Sequence, residues 1–390
     1  LKPLRLNRIL NLSGGGPMKG VRQITPHLAA LGVTTPVASL DPPDAPWLKD
    51  QPFQAIGLGP VACGYGYRRG LPPRIRALVH QHNAVIIQGI WQYHASATWR
   101  ALHGTNIPNV VYSYGLLDPW FKRAYPLKHL KKWVYWPWAN FRVLRDPKAV
   151  LFSTEHERLL ARQSFWLYRA NEAVVGYGTS APVDALRQRQ AFLQRFPHLH
   201  GQRILMFLSR IHPKKGVVLL IEAWVGGDHR RPTPIACDHR PRPGGVGRPP
   251  CSSGPQRWAS PNASPGQACS AASSIGAPSA DLFCLHYNQR NFVIVVAEAL
   301  ACGLPVEFAE PVNISSDVAA ARTGLVHADT AAGTTGALGR WLTLSDGEKQ
   351  QMGVGGEELF RVRFDFASMA RNLLSVLEAA IQQQPVRLTP

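Results

Sequence analysis

Arg210 and Lys215 stand five residues apart in Phe207-Leu-Ser-Arg-Ile-His-Pro-Lys-Lys-Gly216, at the exit of an apolar stretch that reads as a strand. A second stretch, Asn291-Phe-Val-Ile-Val-Val-Ala-Glu-Ala-Leu-Ala-Cys-Gly-Leu-Pro-Val306, reads as a turn running into a helix that carries Glu298. Two fixed cations facing a helix N-terminus favour a diphosphate, because helix-end amides and positive charge both attract an anion. A carboxylate one or two turns along that helix could accept hydrogen bonds from a pair of sugar hydroxyls. The plainer readings are two surface cations after a strand and an ordinary helix carboxylate.

These residues need a scaffold, and the chain supplies one. Residues 4 to 12 alternate like a first strand, Gly14-Gly-Gly-Pro17 makes a tight turn, and an amphipathic stretch runs from Met18 to Leu31 with Gly32 as its stop. Strand, glycine-rich turn and helix open a Rossmann-like unit. Further strands are expected at Val33 to Leu40, Ala84 to Gln88, Asn109 to Ser113, Ala149 to Thr154 and Ala173 to Gly176. Residues 177 to 202 read as a hinge region, residues 203 to 209 open a second unit, and residues 366 to 381 form a closing helix. The expected division is 1–185, 186–365 and 366–390.

The two chemistry-bearing stretches resemble the C-terminal half of a family-4 (group 1) retaining glycosyltransferase of the GT-B fold. The resemblance implies two Rossmann-like domains facing across a cleft, an N-terminal acceptor domain and a C-terminal donor domain. It implies catalytic roles for Arg210 and Lys215 on the donor diphosphate. It implies donor contacts from Gly15, Gly16, Tyr114, Asn291, Phe292, Val293, Ile294 and Glu298. It also implies transfer of a hexose from a nucleotide sugar to a lipid-linked glycan or polysaccharide, with retention and with neither metal nor cofactor. Fixed cations would then neutralise the leaving nucleoside diphosphate.

The chain departs from that pattern at several positions. The family brackets the second motif with two Glu eight residues apart; the second is Glu298, but the first falls on Arg290, and Glu-Asn-Phe-Gly has become Arg290-Asn-Phe-Val293. Tyr112-Ser-Tyr-Gly-Leu-Leu-Asp-Pro-Trp120 resembles a family stretch in which Tyr114 is His, and Ile86 to His94 resembles one in which Gln88 is His. Tyr can donate one hydrogen bond but cannot carry positive charge. His94 reads as a structural histidine or an acceptor contact, and Asp118 as a turn residue rather than an acid. These departures keep a second reading open, a catalytically inactive relative that at most binds a membrane or a partner.

Composition narrows the classes further. The 390 residues suit two domains of ordinary size. No run of about 18 apolar residues is present, and no basic-then-apolar leader opens the chain. Six scattered cysteines with no CxxC pair read as free thiols in a reducing compartment. The net charge of +19 points to an anionic membrane surface, a phosphorylated acceptor or nucleic acid, and no nucleic-acid module is visible. Trp120 to Trp138 interleaves lysines with aromatics, the composition of a bilayer interface or of a solvated helix packed on its own domain. The expected location is therefore cytoplasmic, at the inner face of the membrane.

One interval breaks the pattern. From Val225 to Ala280 there is no Leu, Phe, Tyr, Met, Lys or Glu, and Pro, Gly, Ser, Arg and Ala dominate. The expectation is an irregular segment inside the donor domain, since so little apolar surface cannot offset ordering. In the resembled family this interval, at nearly the same length, holds strand-helix units. Loss and recovery at preserved length is what a compensated shift of reading frame would produce; a low-complexity insertion is the alternative.

Overall fold

A computed structural model describes residues 1–11, 16–62, 64–208, 217–226, 235–238, 280–285, 294–310 and 312–383. The chain divides into two units, Leu1–Gly178 with Phe366–Pro390, and Thr179–Asp365.

The first unit is built on seven strands: β1 (Pro3–Asn7), β2 (Val37–Ser39), β3 (Ala55–Gly57), β4 (Ala84–Gln88), β5 (Asn109–Tyr112), β6 (Ala149–Phe152) and β7 (Glu172–Val174). All pair in parallel, in the order β3-β2-β1-β4-β5-β6-β7. Its helices are α1 (Gly16–Ala30), α2 (Leu71–Val79), α3 (Tyr93–Leu102), α4 (Trp120–Ala124), α5 (Pro126–Tyr135), α6 (Phe141–Arg145) and α7 (Glu155–Ala161). Period-two alternation explains the layering. Leu4 and Leu6 of β1, Val85 and Ile87 of β4, and Val150 and Phe152 of β6 share one core with Leu71, Ile75 and Val79 of α2. Arg5 and Asn7 alternate with them and point to the other layer, where Asn7 donates to Met18 Sδ of α1 (3.6 Å).

The second unit holds α8 (Ala185–Arg195), β8 (Leu205–Leu208), α9 (Val217–Gly226), β9 (Ile235–Asp238), β10 (Leu282–Leu285), α10 (Ile294–Leu300), β11 (Val306–Ala309), α11 (Ser315–Ala320), β12 (Gly324–His327), α12 (Ala331–Thr343) and α13 (Asp346–Leu359). Its strands are parallel in the order β12-β11-β10-β8-β9. β9 corrects the expectation that 225–280 carries no regular structure: Ile235 to Asp238 pairs in register with Leu205 to Leu208. A ladder satisfies backbone groups whatever the side chains, so four residues beside an existing strand can pair without a core of their own. The other residues of that interval between 227 and 279 lie outside the described residues. The last helix, α14 (Phe366–Ile381), belongs to the first unit. There it packs on α1: Phe366 stacks on His27 (5.9 Å between centroids), and Asn372 donates to the Val175 carbonyl (3.3 Å).

Among the described residues, the second unit's core holds an ion pair between Glu307 and His327. Glu307 of β11 is fully buried and takes a 2.5 Å hydrogen bond with His327 Nε2 at the end of β12. Burial opposes protonation of His327. The Glu307 hydrogen bond and charge, with help from the Ala328 carbonyl and Asp329, outweigh it and raise the imidazole pKa above its usual 6.5. A raised folded-state pKa contributes stability that is fully present below the unfolded value and is lost as pH rises through the folded one. The thermal midpoint of this unit is therefore expected to fall between pH 6.5 and mildly alkaline pH. His327→Gln should remove that component of the decline, and calorimetry across the range measures it. An unchanged pH profile in the variant would show that the pair contributes nothing.

Candidate functional site

In open parallel sheets, ligands collect outside the carboxyl ends of the strands where the strand order reverses. The first unit reverses between β1 and β4, and the second between β8 and β10. The glycine-rich turn follows β1, and Gln88 with Gly89 closes β4. The Arg210–Lys215 stretch follows β8, and the Arg290–Val293 stretch follows β10. All four motif-bearing segments thus continue from the four strands that flank the two reversals. Of the predicted site residues, Arg210, Lys215, Gly15, Asn291, Phe292 and Val293 lie outside the described residues, as does Arg290. Gly16 begins α1, and Ile294 and Glu298 sit half-buried on α10. Glu298 lies near Cys302, whose thiol is pushed up to about 12 by burial first, then by Glu298 and Glu357.

The carboxyl edge of the first unit's sheet is described in atomic detail. Tyr114 follows β5 with φ 50°, and Gly115 with φ 70°, so the chain makes a left-handed turn there. A non-glycine residue in that region is a strained choice and marks a place worth explaining. The Tyr114 hydroxyl donates to Gln88 Oε1. Its ring stacks on Tyr112 (5.1 Å, 9°) and meets Tyr177 edge-on (6.0 Å, 86°). The two positions where the chain departs from the resembled histidines are therefore bonded to each other: a phenol donor meets an amide acceptor, both neutral. Burial raises the pKa of Tyr112, Tyr114 and Tyr177, so all three remain phenols at ordinary pH. Beneath them Arg5 is buried; burial pulls its pKa down, with Tyr112 and Tyr114 opposing. On the α1 side, a Cβ at Gly20 would come within 2.6 Å of the Tyr177 hydroxyl, so only glycine admits that contact.

Two buried carboxylates hold the loops of this edge. Asp41 accepts from the Leu10 amide (2.6 Å) and from Ser39 Oγ (2.7 Å), fixing the chain that leaves β1. Glu157 Oε1 accepts from Ser113 Oγ (2.5 Å) and the Gly115 amide (2.7 Å), while Oε2 accepts from the Ser153 amide (2.8 Å) and the Ser153 hydroxyl. One side chain thus ties the turn after β5 to the turn after β6. Sequence reasoning missed Glu157, although a signal exists. Thr154-x-x-Glu157 is the spacing of a capping box, and Thr154 does cap α7 by accepting from the Glu157 amide (3.1 Å). The Glu157 carboxylate, however, reaches across to the neighbouring loop.

Other expected residues take structural roles. His94 is buried, with Nε2 3.0 Å from the Gln88 carbonyl. Burial lowers its pKa to about 4, with Arg8 adding to the effect and the Gln88 contact opposing, so the ring is neutral. Asp118 accepts from the Trp120 amide (2.8 Å), as a turn residue does. Lys132 lies over the rings of Trp91 (4.7 Å) and Phe121 (4.8 Å), whereas Lys122, Lys128 and Lys131 are exposed. Among the described residues no helix is long and apolar enough to cross a membrane.

Similarity to known proteins bears on both units. Residues 15–178 match the model of the family described as Glycosyl transferase 4-like domain, and the match stops at Gly178, where the first unit's main segment ends. Among curated proteins none matches the chain in sequence. Solved structures match nearly end to end. A glycosyltransferase from Rickettsia africae ESF-5 is similar with a TM-score of 0.73 at 12% identity, covering 98% of this chain and 99% of that one. Sucrose-phosphate synthase from Thermosynechococcus elongatus is similar with a TM-score of 0.66 at 16% identity, covering 98% of this chain and 100% of that one. Anabaena HepE, solved in complex with UDP and glucose, is similar with a TM-score of 0.67 at 15% identity, covering 97% of this chain and 100% of that one. At such identities the likeness establishes architecture: the chain has the GT-B fold, and residues 15–178 match the model of the glycosyl transferase 4-like domain.

Proposed function

We propose that this chain transfers a hexose from a nucleotide sugar to a lipid-linked glycan or polysaccharide acceptor, with retention and without metal or cofactor. The observation that carries this reading is topological: the four motif-bearing segments follow the four strands that flank the two sheet reversals. Arg210 and Lys215, following β8, neutralise the charge that builds on the departing nucleoside diphosphate. Glu298 takes the hydroxyls of the nucleotide's ribose, with Asn291 to Ile294 lining the phosphates. Gly15 and Gly16 let the backbone of the first unit approach the donor, and Tyr114 offers a neutral hydroxyl beside the sugar. HepE, similar in fold, is solved with UDP-glucose, which supports a uridine nucleotide as the donor handle. Association with the anionic inner face of a cytoplasmic membrane is part of the proposal. It is supported by α5, where Leu127, Leu130 and Val134 are exposed beside exposed Lys128 and Lys131.

Titration calorimetry with uridine diphosphate tests the donor site. Lys215→Ala is expected to weaken binding by about 1.5–3 kcal/mol, the scale of a charge-assisted hydrogen bond. Equal affinity in the two proteins would remove the assignment. The Tyr114–Gln88 bond favours a second reading, in which the site has lost both imidazoles and the chain survives as a binding protein. Mass-spectrometric detection of donor hydrolysis separates the two.

A further inference from the structure

The apolar surface of α5 does not end with the helix. At about 100° per residue, and leaving aside Tyr135 between the lysines and Pro126 before Trp133, the order around α5 is Lys128, Lys131, Leu127, Val134, Leu130 and then Trp133. The first two are exposed cations and the next three an exposed apolar stripe, with Leu127 at 82% and Val134 at 70%. Trp133 begins the buried side. Phe165 docks on that side, with its ring 5.3 Å from Trp133 and 4.8 Å from His129, in stacked contact with the latter. The turn that carries Phe165 therefore packs on the buried side of α5, at Trp133, which follows the apolar stripe on the side away from the lysines. Its next two residues face outward: Trp166 is 73% exposed and Leu167 is 56% exposed. Arg169, two residues on, is exposed as well.

Leu167 also has φ 63°, where a residue with a Cβ is strained and glycine is not. Folding alone does not ask for this arrangement. The turn is closed by the Tyr168 amide donating to the Phe165 carbonyl (3.2 Å), with the Phe165 ring packed below it and the Ser164 amide donating to the Ala161 carbonyl (3.1 Å), and none of these uses the two exposed side chains. An exposed indole next to a branched aliphatic group, on a turn packed against a helix that carries an exposed apolar stripe and two lysines, matches the boundary between anionic headgroups and acyl chains.

We propose that the Trp166–Leu167 turn is a second membrane contact, inserting beside the α5 stripe into an anionic bilayer so that two separate elements fix how the first unit lies on the surface. This rests on the membrane association proposed above. Co-sedimentation of the full chain with phosphatidylcholine vesicles containing about one-third phosphatidylserine tests it. Trp166→Ser with Leu167→Ser is expected to weaken partitioning about tenfold while leaving its salt dependence as in wild type, because apolar area is lost and charge is not. Lys128→Glu with Lys131→Glu is expected to abolish the salt-dependent part. Leu167→Gly separates contact from folding: it should bind more weakly yet melt at or above the wild-type temperature, since glycine takes the left-handed backbone without strain. If the Trp166 and Leu167 variants sediment like wild type while the lysine variant does not, the second contact is wrong and the membrane reading stands. If wild type itself fails to sediment, both fall. A lowered melting temperature in Leu167→Gly would show that the side chain serves packing, and would overturn the proposal.

Discussion

Glu157→Ala is expected to destabilise the first unit by about 3 kcal/mol, the scale of leaving several buried donors without an acceptor. The carboxylate is buried, and it receives the Ser113 hydroxyl, the Gly115 amide, and both the amide and the hydroxyl of Ser153. Alanine leaves those donors facing a void, and water can reach them only if the turns open. Amide exchange at Gly115 and Ser153 should then accelerate about a hundredfold, since about 1.4 kcal/mol corresponds to a factor of ten. Glu157→Gln should fall between, because it keeps one acceptor oxygen and turns an NH2 group toward donors. The left-handed Tyr114–Gly115 turn depends on this clamp, so the phenol of Tyr114 should lose its fixed place beside Gln88. Unaltered exchange at Gly115 would show that the turn is held by something else.

Arg290→Glu is expected to raise donor turnover by about 10²–10³, the range associated with one preorganised polar contact in a catalytic site. The pattern that the second motif resembles has a carboxylate eight residues before the position of Glu298, and this chain has Arg290 there. A cation can neither accept hydrogen bonds from sugar hydroxyls nor be neutralised at ordinary pH. Turnover of the unmodified chain is accordingly expected below the usual 1–10³ per second. Adding Tyr114→His to the variant should give less than the product of the two single effects, because residues acting in one site do not contribute independently. Steady-state assay with uridine and guanosine sugars measures this, and an ordinary rate in the unmodified chain would mean that Arg290 is not the counterpart of that carboxylate.

Much of the architecture follows from local sequence. The alternation in residues 4 to 12 locates the start of β1, which ends at Asn7, sooner than expected, and Gly32 after an amphipathic stretch places the end of α1 within a few residues. The apolar runs at Ala84, Asn109 and Ala149 become β4, β5 and β6, because strands covered on both faces read as continuous hydrophobic stretches. The closing helix falls at Phe366–Ile381, as its 3.6-residue periodicity predicts. Four residues of the anomalous interval were not legible. Ile235 to Asp238 pairs through backbone groups that composition does not report.

The sequence by itself determined which residues could do chemistry and which short segments carry them: Arg210, Lys215, Glu298, the glycine-rich turn, Gln88 and Tyr114. It did so because spacing along one strand or helix is a local property. Strand order is not local, and only the tertiary structure decided that the segments of all but Tyr114, which follows β5, come after the strands beside the two reversals. The same holds for each long-range partner. Glu157 reads as a cap but reaches the loop after β5, Gln88 and Tyr114 read as separate departures but bond to each other, and Lys132 reads as one of several free cations but lies between two rings. The physical reason is common to all three: a side chain's partner is set by which backbone segments the parallel sheet brings alongside, and residues 26 or 42 apart in sequence meet only once that sheet has formed.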